Sequence, residues 1–324
     1  MKLLEQEISA KVSLRNILYA TDFSAVSEAA LPYATAISCR YGSMIHVAHI
    51  IPESNLPVRP GAPDSSTLGV IYEDAPTVAQ ETMLQLTRRL KGFPYETHIR
   101  HGQAWEVLAE IIRENEIDLL IAGTHGRTGV GRLVMGSVAE EIFRHVSCPV
   151  LTVGPKVRTT MQSKNETGAS ATDINFQQIL YATDFTPHSL AAASYASSLA
   201  QEFRTQLTLL HVIEQYGEDL HDKPGPIEDA LRRLENLRPE MAALPCPSEP
   251  AVEFGPPADC ILQMAAEREA DLIVLGVRAA TGRLGASTHL ALTTAHKILA
   301  KAHCPVLTIR MEDADDVKSW LNRP

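Results

Sequence analysis

The heptapeptide ILYATDF occupies Ile17 to Phe23 and returns unchanged at Ile179 to Phe185, 162 positions later. Two further pairs follow in the same order: DLLIAG at Asp118 to Gly123 matches DLIVLG at Asp271 to Gly276, and CPVLT begins at both Cys148 and Cys304. A chain of 324 residues built this way is expected to hold two copies of one domain, each long enough to bury its own core. The boundaries read as 14–154 for the first copy and 176–310 for the second. Between them 155–175 is polar and rich in Ser and Thr, as a linker is, and 311–324 is a tail that begins acidic.

Within the first copy, compact apolar runs alternate with helical patterns. Asn16 to Ala20 reads as a strand, Ser24 as the N-cap of a helix carrying Val26, Ala30, Tyr33 and Ile37, and Gly42 as its stop. Strands follow at Met44 to Ile51, Tyr95 to Arg100, Asp118 to Ala122 and Pro149 to Val153, with helices at Val78 to Leu90, Trp105 to Glu114 and Val138 to His145. Alternation of this kind implies an α/β fold with a doubly wound parallel sheet covered on both faces. A ligand then lies beyond the carboxyl ends of the strands, where strand order reverses, and Asp22 and Gly123 both fall at such ends.

Charge and cysteine usage narrow the function classes. A formal net charge of −10 disfavours general binding to nucleic acid or to anionic membrane surfaces. No apolar run reaches the length of a membrane span, and MKLLEQEISAKVSLRN at the start lacks a signal-peptide core, so a cytoplasmic location is expected. Five cysteines without a CxxC pair suit reduced thiols; Cys148 and Cys304 read as small buried residues at strand starts. His98 and His101 are expected on opposite faces of a strand, which argues against a shared metal. His49 and His211 close matching strands and are expected to serve packing or a local hydrogen bond.

The segment GTHGRTGVGRLVMGSVAEE, Gly123 to Glu141, carries the most chemistry. Glycines admit phosphate oxygens to backbone N–H groups, a helix N-terminus adds donors and a positive dipole end, and Ser137 adds a hydroxyl. Arg127 and Arg132 supply local positive charge. The ligand-free alternative is that Ser137 and Glu140 form a capping box.

The glycine spacing together with ILYATDF resembles the universal stress protein family, over Leu14 to Val153 and again over Phe176 to Arg310. The resemblance implies two five-stranded parallel sheets of order 3-2-1-4-5 related by a pseudo-two-fold, with the closing strands of the two halves paired. It also implies an ATP site, with magnesium, in the first half. Ala20, Thr21 and Asp22 would meet adenine and ribose, and Ile50 would offer a backbone contact to the base. Gly123, Thr124, His125, Gly126, Arg127, Thr128, Gly129, Gly136, Ser137 and Val138 would line the ribose and phosphates.

The second half departs from this pattern. Asp184, Val212 and Gly276 stand where Asp22, Ile50 and Gly123 stand, which makes them the candidates for a vestigial site. Ala279 replaces Gly126, however, and Leu292 and Thr293 replace Gly136 and Ser137, which obstructs close phosphate approach. Both aspartates also have a ligand-free reading, an Asx turn that ends the strand and starts the helix, strengthened after Asp184 by Thr186-Pro187.

The expected function is a stress-response or signalling protein that binds ATP in its first half and acts through a protein partner not specified by the sequence. Slow ATP hydrolysis and a nucleotide-independent interaction role are the alternatives. No general base accompanies the loop, since Glu140 and Glu141 read as helix-start acids, so hydrolysis would be weak at most. The pseudo-dimer is complete in one chain, and pairing of two such chains stays open.

Overall fold

The computed structural model describes residues 12–52, 75–123, 141–142, 146, 148–157, 174–214, 225–241, 247–278 and 293–311. The first half contributes strands β1 (Asn16–Ala20), β2 (Met44–Ile51), β3 (Tyr95–His101), β4 (Leu119–Gly123) and β5 (Val150–Val153). The second repeats them as β6 (Gln178–Ala182), β7 (Gln206–Ile213), β8 (Ser248–Phe254), β9 (Leu272–Arg278) and β10 (Val306–Met311). All ten form one sheet, ordered β3-β2-β1-β4-β5-β10-β9-β6-β7-β8. Each half is parallel in the expected order 3-2-1-4-5. The halves join where β5 and β10 pair antiparallel, with Leu151 opposite Leu307.

The repeat is reproduced in register. Asn16 pairs with Met44 and Gln178 with Gln206, both separations being those of the duplicated sequence. At the amino end of the central strands, the Asp118 carboxylate accepts the N–H groups of Arg15 and Asn16 at 2.7 and 2.9 Å. Asp271 does the same for Gln177 and Gln178 at 2.7 and 3.1 Å. The shared aspartate of DLLIAG and DLIVLG therefore aligns two parallel neighbours at their start.

Helices of the first half are α1 (Ala25–Glu28), α2 (Leu31–Tyr41), α3 (Ala75–Thr87), continued by a 3-10 turn at Arg88–Leu90, and α4 (Ala104–Glu114). Those of the second are α5 (Pro187–Phe203), α6 (Gly225–Met241), α7 (Pro257–Glu267) and α8 (Thr294–Lys301). One helix was expected after Ser24, but the chain breaks between α1 and α2. Pro32 explains this, because it has no N–H to give the carbonyl four residues back and its ring crowds that carbonyl. In the second half Ser194 holds the corresponding position, and α5 runs through seventeen residues without interruption.

Alternation along the strands divides the core. Ile17, Ile121 and Leu151 point to the same face as Ile179, Val274 and Leu307, and with Ile37 of α2 and Leu199 of α5 they form one apolar cluster common to both halves. On the opposite face the halves keep separate cores, Leu18, Leu108, Ile111 and Leu120 in one and Leu180, Ile261, Ile273 and Ile298 in the other. Phe176, at the end of the linker, lies between Tyr33 and Phe203, 6.2 and 4.7 Å between ring centres. The Tyr41 and Ser198 hydroxyls share a hydrogen bond of 3.0 Å from α2 to α5.

Cys148 and Cys304 are buried at the starts of the closing strands, as expected. Among the described residues no helix is long and apolar enough to cross a membrane.

Candidate functional site

The function expected of ILYATDF depends on what its polar atoms do. Ile17 and Leu18 go to opposite cores. The Tyr19 hydroxyl, fully buried, donates to the Ser27 carbonyl in α1 at 2.9 Å. Thr21 Oγ1 lies 3.0 Å from Ser27 Oγ and accepts the Phe23 N–H at 3.0 Å. Asp22 Oδ1 accepts the Ser24 N–H at 3.0 Å, which is an Asx turn, and Ser24 caps α1 by accepting the Ser27 N–H at 3.2 Å. The chain can then reverse because Phe23 adopts φ 60°, a left-handed conformation costing a non-glycine residue about 1–2 kcal/mol.

Two contacts offset that cost. The Thr21 hydroxyl takes the Phe23 N–H, and the Phe23 ring lies 4.2 Å from the ring of His49 at the end of β2. His49 Nδ1 in turn donates to the Thr21 carbonyl at 2.8 Å. A carbonyl only accepts, so the proton is on Nδ1. The local role expected of this histidine is thus a link between the ends of β1 and β2.

The second copy repeats the device atom for atom. Tyr181 donates to the Ser189 carbonyl at 2.8 Å, Thr183 Oγ1 meets Ser189 Oγ at 2.9 Å, and Phe185 has φ 61°. His211 Nδ1 donates to the Thr183 carbonyl at 2.8 Å. Asp184 Oδ1 accepts both the N–H and the hydroxyl of Thr186, at 3.0 and 2.6 Å. Burial, the largest single influence on this carboxyl, raises its pKa, and the hydrogen bonds from Ser189, Thr186 and the backbone together carry it below the ordinary value. The Asx turn weighed for both aspartates is therefore formed at both. Ser27 and Ser189 escaped the sequence reading, although their identical offset from each ILYATDF was the available signal.

Gly123 ends β4, and Gly276 lies two residues before the end of β9, each beside its turn. A Cβ on Gly123 would stand 3.2 Å from backbone atoms of Val26 and Ser27. On Gly276 it would run into the His188 carbonyl group, whose carbon would be 2.6 Å away. A side chain would crowd the start of the helix after the first strand, tightly at Gly123 and severely at Gly276, a packing reason that operates without any ligand.

The described site residues therefore converge. Ala20, Thr21, Asp22 and Gly123 lie at the carboxyl ends of adjacent strands, with Ala20 opposite Ala122, and Ile50 lies near the carboxyl end of β2, half-buried. Asp184, Val212 and Gly276 converge in the same way in the second half, where the Arg233 guanidinium lies 3.9 Å over the Phe185 ring. Thr124, His125, Gly126, Arg127, Thr128, Gly129, Gly136, Ser137 and Val138 lie outside the described residues, as do Ala279 and Leu292. Thr293, the counterpart of Ser137, caps α8 by accepting the His296 N–H at 3.2 Å.

A parallel α/β domain duplicated in one chain, its strand ends carrying one turn device twice, defines the class to which this protein belongs. The universal stress protein family matches residues 13–154 and 175–310, and the chain is a tandem member of that family. A universal stress protein of Thermus aquaticus is 37% identical over 140 residues, covering 42% of this chain and 99% of its own. One from Mycolicibacterium smegmatis is 25% identical over 311 residues, 91% of this chain and 96% of that one. The crystal structure of a universal stress protein from Archaeoglobus fulgidus DSM 4304 superposes over 92% of this chain and 99% of its own, with a TM-score of 0.68 at 19% identity.

Proposed function

We propose that the first half binds ATP with magnesium at the carboxyl ends of β1, β2 and β4, and that the occupied state serves a stress-response or signalling role through a protein partner. The observation that carries this reading is an asymmetry between matched halves. Both retain the strand-end turn, but only the first retains glycines at 126 and 136 beyond it. In a parallel sheet of order 3-2-1-4-5, the strand order reverses between β1 and β4, and this is where such folds accommodate ligands. Gly123 opens the glycine-rich segment at that point. Since the turn is satisfied internally in both halves, the segment after it is what separates a binding half from a vestigial one. Location in the cytoplasm belongs to the same proposal.

Equilibrium dialysis of the whole chain against magnesium and ATP tests it. One nucleotide per chain is expected, lost on Gly136→Leu and kept on Asp184→Asn. Absence of binding at millimolar ATP would sink the proposal. Phosphate release is expected to be slow; fast, saturable release abolished by the same glycine variant would instead favour a hydrolase.

A further inference from the structure

We propose a second site in the first half, one that binds a zinc-class divalent cation through His46, His98 and Glu96. These side chains project from one face of the β2 and β3 pair. Glu96 is the register partner of His46, and His98 lies two residues further along β3. His46 Nδ1 is 3.1 Å from His98 Nε2 and 3.9 Å from a Glu96 carboxylate oxygen, and the three ligand atoms all lie within 4.8 Å of one another.

The spacing matches the coordination chemistry. With Zn–N bonds of about 2.0–2.1 Å, two imidazole nitrogens on one tetrahedral zinc stand about 3.3 Å apart. A metal would replace the hydrogen bond that the two rings now share, and Glu96 can close on it because its side chain is 58% exposed. Two imidazoles and one carboxylate leave a fourth position for water or an external ligand.

Neither histidine is demanded by the fold. In the second half the matching register positions are Thr208, Glu249 and Ala251, and the strands pair there equally well. Glu249 is held by Arg268 through two hydrogen bonds of 3.0 Å. In the first half the nearby cation, Arg100, is taken by Glu114 at 2.6 Å and approached by Glu110 at 3.9 Å, both on α4. The fold thus tolerates small side chains at both imidazole positions, and the first half instead places two buried rings in stacked contact, 5.4 Å apart.

Burial keeps both imidazoles below the ordinary histidine pKa; at His46 the neighbouring His98 lowers it further, while Glu96 opposes the shift at both. Neutral rings offer lone pairs to a metal. β3 is an edge strand of the sheet, so a bound cation would fasten it to β2.

The test is zinc affinity of the whole chain, measured by competition with a chromophoric chelator, for wild type, His98→Gln and Glu96→Gln. One zinc is expected at this site, weakened at least tenfold in Glu96→Gln and lost in His98→Gln. Should His98→Gln fail to fold, the exposed Glu96 variant decides alone. Cobalt substitution separates this site from adventitious cysteine binding: it should give no thiolate charge-transfer band, and Cys39→Ser should leave the spectrum unchanged. Wild-type affinity in any folded variant of the pair, no zinc binding by the native chain, or a thiolate band would overturn the proposal.

Discussion

Leu151 and Leu307 face each other across the junction of β5 and β10, and each is also the other's counterpart in the repeat, three residues after Cys148 and Cys304. The pair marks the pseudo-two-fold of the molecule. On either side of it Thr152 Oγ1 donates to the Val306 carbonyl at 3.1 Å and Thr308 Oγ1 to the Val150 carbonyl at 3.2 Å. A strand that would otherwise be an exposed edge in each half is thereby covered by its own duplicate.

The shared core implies coupled unfolding. Leu307→Ala is expected to cost about 2–5 kcal/mol, as buried leucine truncations do. Urea unfolding followed by circular dichroism should keep one transition that moves to lower denaturant. A second transition left at the wild-type midpoint would show that the halves unfold independently.

Gly123 and Gly276 should differ in their tolerance of a methyl group. Gly276→Ala meets the His188 carbonyl and is expected to destabilise by about 1–3 kcal/mol. Gly123→Ala meets backbone at 3.2 Å and should cost less. Thermal unfolding of the two variants gives the order, and equal midpoints would contradict it.

Pro32 and Ser194 occupy matching positions in a broken and an unbroken helix. Ser194→Pro removes an N–H donor from the middle of α5 and should cost about 3 kcal/mol or more. Retention of wild-type stability, measured by denaturant unfolding, would mean that α5 can adopt the break seen between α1 and α2.

Asp184 contributes a pH-dependent share of stability. Its folded-state pKa lies below its unfolded value, so its stabilisation is present above about pH 3.9 and disappears as pH falls through the folded value. Asp184→Ala is expected to cost about 0.5–1.5 kcal/mol at neutral pH. The gap from wild type should narrow on acidification; a gap that widens would refute the assignment.

Burial pushes the Cys148 and Cys304 thiols up to about 12, so they stay protonated and unreactive at pH 8. Maleimide labelling read by peptide mass spectrometry should modify exposed Cys39 in the native protein and reach the buried pair only after denaturation.

Much of the fold was legible because it depends on short-range features. The ILYATDF copies encode strand, turn and helix start within a few residues, parallel pairing follows from alternation with helices, and the strand order was implied by the family resemblance. The Asx turns were readable as an alternative for the same reason. The His46 to His98 contact was not, since it joins residues 52 positions apart and exists only through the β2 and β3 register. The approach of α1 and α5 to Gly123 and Gly276 was hidden as well, because a glycine in a sequence does not say which neighbour needs its missing side chain.

By itself, the sequence determined a duplicated, parallel α/β domain and an uneven inheritance of glycines, because periodicity and turn chemistry act over neighbouring residues. Tertiary structure alone decided that a single core serves both halves on one face, and that two histidines and a glutamate meet. Those outcomes depend on which surfaces pack once the strands have paired, and burial of apolar faces between distant segments leaves no local pattern to read.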